Sequence, residues 1–199
     1  MRKSELYLRS MNIKLIIVSL IISQSVIAQV PTNYGFMLSK EYSQSISIDK
    51  AKDFAIKEIF NSPENVGQFE FDLLDDFTNG ELTTLFYRFK EKNKEGIILG
   101  FYGDYWNDAG DIYRGFVFKN LPKEKATELL NKISKTIEEQ QEYLSKNTDN
   151  NVYLQYDDIT VMMYKSLGIK IRISWIGFDA EWEHTAFTKI KNSFEKDLN

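Results

Sequence analysis

The residues with the greatest chemical capacity lie together in Gly103-Asp104-Tyr105-Trp106-Asn107-Asp108-Ala109-Gly110-Asp111. Carboxylates at Asp104, Asp108 and Asp111, with the Asn107 amide and backbone carbonyls, are the oxygen ligands that a hard cation such as calcium takes. The spacing departs from the twelve-residue calcium loop, and Asp, Asn and Gly equally serve the geometry of a long hairpin connection. The same loop carries Tyr105 and Trp106, with Tyr102 and Tyr113 on its flanking strands. Aromatic rings beside carboxylates stack on sugar or peptide groups, because they give large contact area for little lost entropy. Aromatics at strand ends also form the rim of a core. Tyr102, Asp104, Tyr105, Trp106, Asp108, Asp111 and Tyr113 are therefore the candidate ligand-binding residues, and calcium is the one cofactor the sequence suggests.

Other groups offer less. Hydrolysis of a glycosidic bond needs two acids on opposite sides of the substrate. Asp75-Asp76 and Asp157-Asp158 are adjacent in sequence, so on a strand their side chains diverge, and both pairs sit where turns are wanted. The single histidine, His184, stands in Glu181-Trp182-Glu183-His184. On a helix it would lie away from the apolar stripe and toward solvent. With one histidine and no cysteine, multi-histidine zinc sites, thiolate sites and redox motifs are excluded. No glycine-rich phosphate loop, serine elbow or zinc-protease signature occurs.

The N-terminus gives an address. Lys14 precedes the apolar run Leu15 to Ile22, and small residues lead through Val26-Ile27-Ala28 into Gln29. This reads as a secretory signal peptide over residues 1–28, with Met11 a possible alternative start. Ser19, Ser23, Gln24 and Ser25 break the run, which is short of the roughly 20 apolar residues a membrane span takes. No cysteine follows it, so the expected product is periplasmic or secreted and is not a lipoprotein. Removing the segment leaves 21 basic against 28 acidic residues, a formal charge of −7. That sign repels a phosphate backbone, which argues against nucleic acid. The remaining length suits one domain held by its core, without disulfides.

The elements that must position the loop are legible from periodicity. After a polar leader (residues 29–47), Asp49 is placed to cap a helix with Ala51, Ala55 and Ile59 on one face, ended by Asn61-Ser62-Pro63. Phe69, Phe71 and Leu73 alternate with Glu70 and Asp72, Thr78-Asn79-Gly80 turns, and Leu85, Tyr87 and Phe89 return. Ile97 to Tyr102 and Ile112 to Phe118 are apolar on nearly every position, as in strands covered on both faces or lying central in the sheet. Leu121-Pro122 then opens a helix whose stripe is Ala126, Leu129, Leu130, Ile133, Ile137 and Leu144. Three more alternating strands follow: Val152 to Tyr156, Ile159 to Met163 and Ile169 to Trp175. Asp179 is placed to cap a last helix with Trp182, Ala186, Ile190 and Phe194 on one face.

These elements predict an α+β fold: an antiparallel sheet of about six to seven strands with helices on one side, built from two β-β-β-α units in tandem over residues 48–199. The function expected is an exported, non-catalytic binding or interaction module whose partner is a protein, peptide or glycan. The alternatives are a small carboxylate-based hydrolase and a structural or chaperone-like envelope component presenting an edge strand.

Overall fold

The computed structural model describes residues 45–61, 66–74, 82–106, 109 and 112–198, with the side chains of 104–106 and 112–114 excepted. The expected signal peptide, most of the polar leader, Asp75-Asp76 and Thr78-Asn79-Gly80 lie outside the described residues. The class is α+β, with the strands divided between two four-stranded antiparallel sheets. The first is a meander of β1 (Glu70–Leu73), β2 (Leu82–Phe89), β3 (Lys94–Trp106) and β4 (Ile112–Pro122). The second is a meander of β5 (Asn151–Tyr156), β6 (Ile159–Lys165), β7 (Ile169–Trp175) and β8 (Phe178–Glu183). Helix α1 (residues 45–60) precedes the first sheet, α2 (Lys123–Glu139) and α3 (Gln141–Lys146) follow it, and α4 (His184–Asp197) follows the second. Each block thus has four strands where three were expected, followed by two helices after the first sheet and one after the second.

Three expected boundaries move. Asp179 does not cap a helix: Phe178, Ala180 and Trp182 are buried at every second position, the period of a strand, and α4 begins at His184. Leu121 and Pro122 close β4, and α2 starts at Lys123; proline at the cap position costs nothing because its missing N–H has no helical partner there. Asp49 lies inside α1, which already includes residues 45–48; exposed Asp49 approaches Lys52 at 3.9 Å. Asn61, at φ 37°, ends α1 in the left-handed region, and Asn tolerates that conformation better than most residues.

β2 and β3 hold the interior together because both of their faces are buried, as the continuous apolar run of β3 suggested; β4, whose run reads the same way, is instead an edge strand with residues 115–120 only half-buried. On one face Leu85, Tyr87, Phe89 and Ile98 pack under Ala51, Ala55, Ile59 and Phe60 of α1. On the other, Leu82, Phe86, Ile97, Leu99 and Phe101 join Leu129 and Ile133 of α2, Val161 and Ile171 of the second sheet and Phe187 and Phe194 of α4 in one large core. Helix α1 therefore lies on the face of the first sheet opposite to α2. All six residues of the expected stripe, from Ala126 to Leu144, are buried, but the helix expected to carry them is broken at Gln140, so five lie on α2 and Leu144 on α3. Each large aliphatic side chain buried in this way contributes roughly 1.5–3 kcal/mol.

Adjacent threonines tie the layers. Ser47 Oγ donates to Thr83 Oγ1 at 3.2 Å on the α1 side, and Trp182 Nε1 donates to Thr84 Oγ1 at 3.2 Å on the side of the second sheet. Gly96 is obligatory where β3 crosses the end of β4: an added Cβ would stand 2.3 Å from the Leu121 carbonyl oxygen and 2.9 Å from Pro122 Cα.

Candidate functional site

Helix α1 covers β2 and β3 but leaves the outer strip of β4 open. Alternation places Tyr102, Phe116 and Phe118 on this face, and the register sets Tyr102 opposite Phe116 and Gly100 opposite Phe118. The Tyr102 and Phe116 ring centroids are 4.6 Å apart, Phe116 and Phe118 are 6.4 Å apart and nearly parallel, and Phe118 is 5.6 Å from Phe54 of α1. All four rings are half-buried. Gly100 makes room for the row, because a Cβ there would meet the Phe118 ring at 3.1 Å. Phe54, Phe116 and Phe118 floor an open groove of about 410 Å³ whose rim is Lys50, Asp53, Lys57 and Glu58. Lys50, Asp53 and Lys57 recur at steps of three and four residues and Glu58 adjoins Lys57, so one face of α1 presents both signs of charge along the groove.

Of the residues expected to bind a ligand, Tyr102 belongs to this row. Asp104, Tyr105 and Trp106 were expected in a loop from Gly103 to Asp111, but the strand continues through them: β3 runs to Trp106 and β4 resumes at Ile112. The backbone register sets Asp104 opposite Arg114, Tyr105 opposite Tyr113 and Trp106 opposite Ile112. Asp108 and Asp111, and with them the calcium reading, lie outside the described residues. Among the described residues no group of three or more acidic or histidine side chains is arranged to hold a metal. His184 is exposed at the first position of α4, as its spacing suggested.

The sequence reading missed the aromatic row because Phe54, Phe116 and Phe118 look like core residues. The signal was the position of β4 as an edge strand, which periodicity alone does not give.

A second organised cluster joins the sheets. Asp157-Asp158 forms the β5–β6 turn, as expected, with Asp157 at φ 49°. The pair is also a joint. Lys119 of β4 reaches Asp158 at 2.7 and 2.9 Å, Trp175 Nε1 donates to Asp158 Oδ2 at 2.8 Å, and Lys125 of α2 holds Asp157 at 2.5 Å. Hydrogen bonds from Lys119 and Trp175 hold the Asp158 carboxyl below the usual aspartate range, with burial opposing them. Lys119 Nζ also lies 5.0 Å from the Trp175 ring centroid. Nearby, burial and a hydrogen bond to Glu128 push the Tyr156 hydroxyl up to about 12. Each cation and carboxylate in this cluster is engaged by another, so the arrangement is a structural clasp with no free acid or base to offer a substrate.

No helix among the described residues is long and apolar enough to cross a membrane. Comparison with protein-family models, curated proteins and solved structures finds nothing that matches this chain.

Proposed function

We propose that the chain is an exported, non-catalytic binding module that takes a protein or peptide segment in the groove between α1 and β4. The observation that carries this reading is the row of half-buried rings, Tyr102, Phe116, Phe118 and Phe54, left open to one side. Aromatic side chains with one face packed and the other open are the usual anchors of a recognition surface, since their burial is completed only by a ligand. Three of the four are phenylalanines, with no hydroxyl or ring N–H to orient a sugar, which favours apolar side chains of a peptide over a glycan. The mixed charges of Lys50, Asp53, Lys57 and Glu58 supply a polar rim of the kind that surrounds such anchors. Export rests on the basic, apolar and small-residue pattern before Gln29.

Selection of displayed random peptides against the chain tests the reading. The selected peptides should carry an apolar or aromatic anchor, and Phe116→Ala should weaken their binding by about 30-fold, corresponding to roughly 2 kcal/mol. Selected peptides whose binding is unaffected by Phe116→Ala and Phe118→Ala would overturn it.

A further inference from the structure

The outermost strands of the two sheets are β1, β4, β5 and β8. Three of them carry features that discourage pairing with another chain. β1 is four residues long with two acids, β4 holds Arg114, Lys119 and Pro122, and β8 holds Asp179, Glu181 and Glu183 and lies against β3. β5 has no charge, proline or shortness of this kind, and α2 lies against it, with Glu128 accepting from the Tyr156 hydroxyl at its last residue. It reads Asn151-Val152-Tyr153-Leu154-Gln155-Tyr156, without charge, proline or glycine, and pairs with β6 in an unbroken register.

Tyr156 and Ile159 flank a two-residue turn and form its closing hydrogen-bonded pair. Alternation then turns the backbone N–H and C=O of Val152 and Leu154 toward β6, and those of Asn151, Tyr153 and Gln155 toward the open edge. The side chains of these last three are exposed, Tyr153 to 78%. Val152 and Leu154, on the other face, are only partly buried against the core.

We propose that β5 pairs antiparallel with β5 of a second copy of this chain, about a two-fold axis at Tyr153, joining two four-stranded sheets into one of eight strands. In that register Tyr153 meets its own counterpart, Asn151 meets Gln155, and Val152 meets Leu154. Ring lies against ring, amide against amide and aliphatic against aliphatic, the cross-strand pairs that favour a sheet. A two-fold axis brings any central charge opposite itself, and the lack of charge in β5 is what such a pairing requires. Asp157 would come opposite Asp149 of the copy, and Lys125 already neutralises it. The second strand would also extend the cover over Val152 and Leu154.

The chain has no cysteine, so Tyr153→Cys introduces a single thiol. Facing residues of a hydrogen-bonded antiparallel pair have Cα atoms about 5.5 Å apart, a separation that disulfides span. The expected results on the full chain are a light-scattering mass twice that of one chain, and complete covalent dimerisation of Tyr153→Cys on mild oxidation. Leu167→Cys, at a fully exposed turn between β6 and β7, should not cross-link under the same conditions. Tyr153→Lys should return the mass to that of one chain with unchanged circular dichroism, and should remove the concentration dependence of the melting temperature that dimerisation confers. A single-chain mass for the unaltered protein, a dimer that survives Tyr153→Lys, or a monomer whose β5 edge takes an unrelated extended peptide would each overturn the proposal.

Discussion

Trp182 Nε1 donates to Thr84 Oγ1 across 3.2 Å, and this buried bond ties the last strand of the second sheet to the second strand of the first. Trp182 is 2% exposed and Thr84 is fully buried, so neither group finds water if the other is removed. Thr84→Val should destabilise the fold by about 1–3 kcal/mol, because it leaves a buried ring N–H without an acceptor. Adding Trp182→Phe to that variant removes the orphaned donor and should recover part of the loss. Urea unfolding of the two single variants and the double variant measures the coupling, and additive losses would show that the bond contributes nothing.

The glycines of the long hairpin divide by what surrounds them. Gly96→Ala places a methyl 2.3 Å from a backbone oxygen, and should cost more than about 3 kcal/mol or prevent folding. Gly115→Ala meets nothing within 4 Å and should leave the melting temperature almost unchanged. Thermal denaturation of the two variants checks the contrast.

The β7–β8 turn carries strain. Ile176 has φ 43° and Gly177 φ 86°, the pair of positive values that marks a type I′ turn, and a β-branched residue pays for that conformation. Its side chain is 60% exposed, so packing does not explain the choice. Ile176→Asn should raise stability by about 1 kcal/mol, read as a higher urea midpoint.

Alkaline pH should loosen the core through two tyrosines. Burial pushes Tyr87 up to about 12 although Asn120 accepts from its hydroxyl at 2.9 Å, and burial with the Glu128 hydrogen bond does the same for Tyr156. Each folded value lies above the unfolded value near 10, so the folded state holds protons that the unfolded state releases. Their contribution to stability is present in full below pH 10 and is lost as pH rises from about 10 to about 12, on the order of 1 kcal/mol per pH unit for Tyr87 and less for Tyr156, whose hydroxyl rests on the exposed Glu128 carboxylate. Urea midpoints measured across that interval, with Tyr87→Phe and Tyr156→Phe as controls, test the sign and the assignment.

Where a segment has one buried face, its period exposes it in the sequence. The α2 stripe and the alternation of Ile169, Ile171, Ile173 and Trp175 were legible for that reason. Trp182 was not, because Phe178, Ala180 and Trp182 alternate in a segment that also starts with a good helix-capping aspartate, and pairing with β7 decides between the two. The division into two sheets was equally hidden, since a meander of strands looks the same whether or not α2 interrupts its hydrogen bonding. At the candidate site the sequence led to Tyr102 through its nearby carboxylates. The partners it acquires, Phe116, Phe118 and Phe54, become a surface only because α1 stops short of the edge strand.

The most direct test of the binding account is site-specific photo-crosslinking in the cell of origin, with a benzoylphenylalanine replacing Phe116 in the groove or Leu167 at the far turn. The account predicts a discrete adduct with a peptide or protein partner from position 116 and none of the same mass from position 167. The same adducts from both positions, or none from position 116, would contradict it.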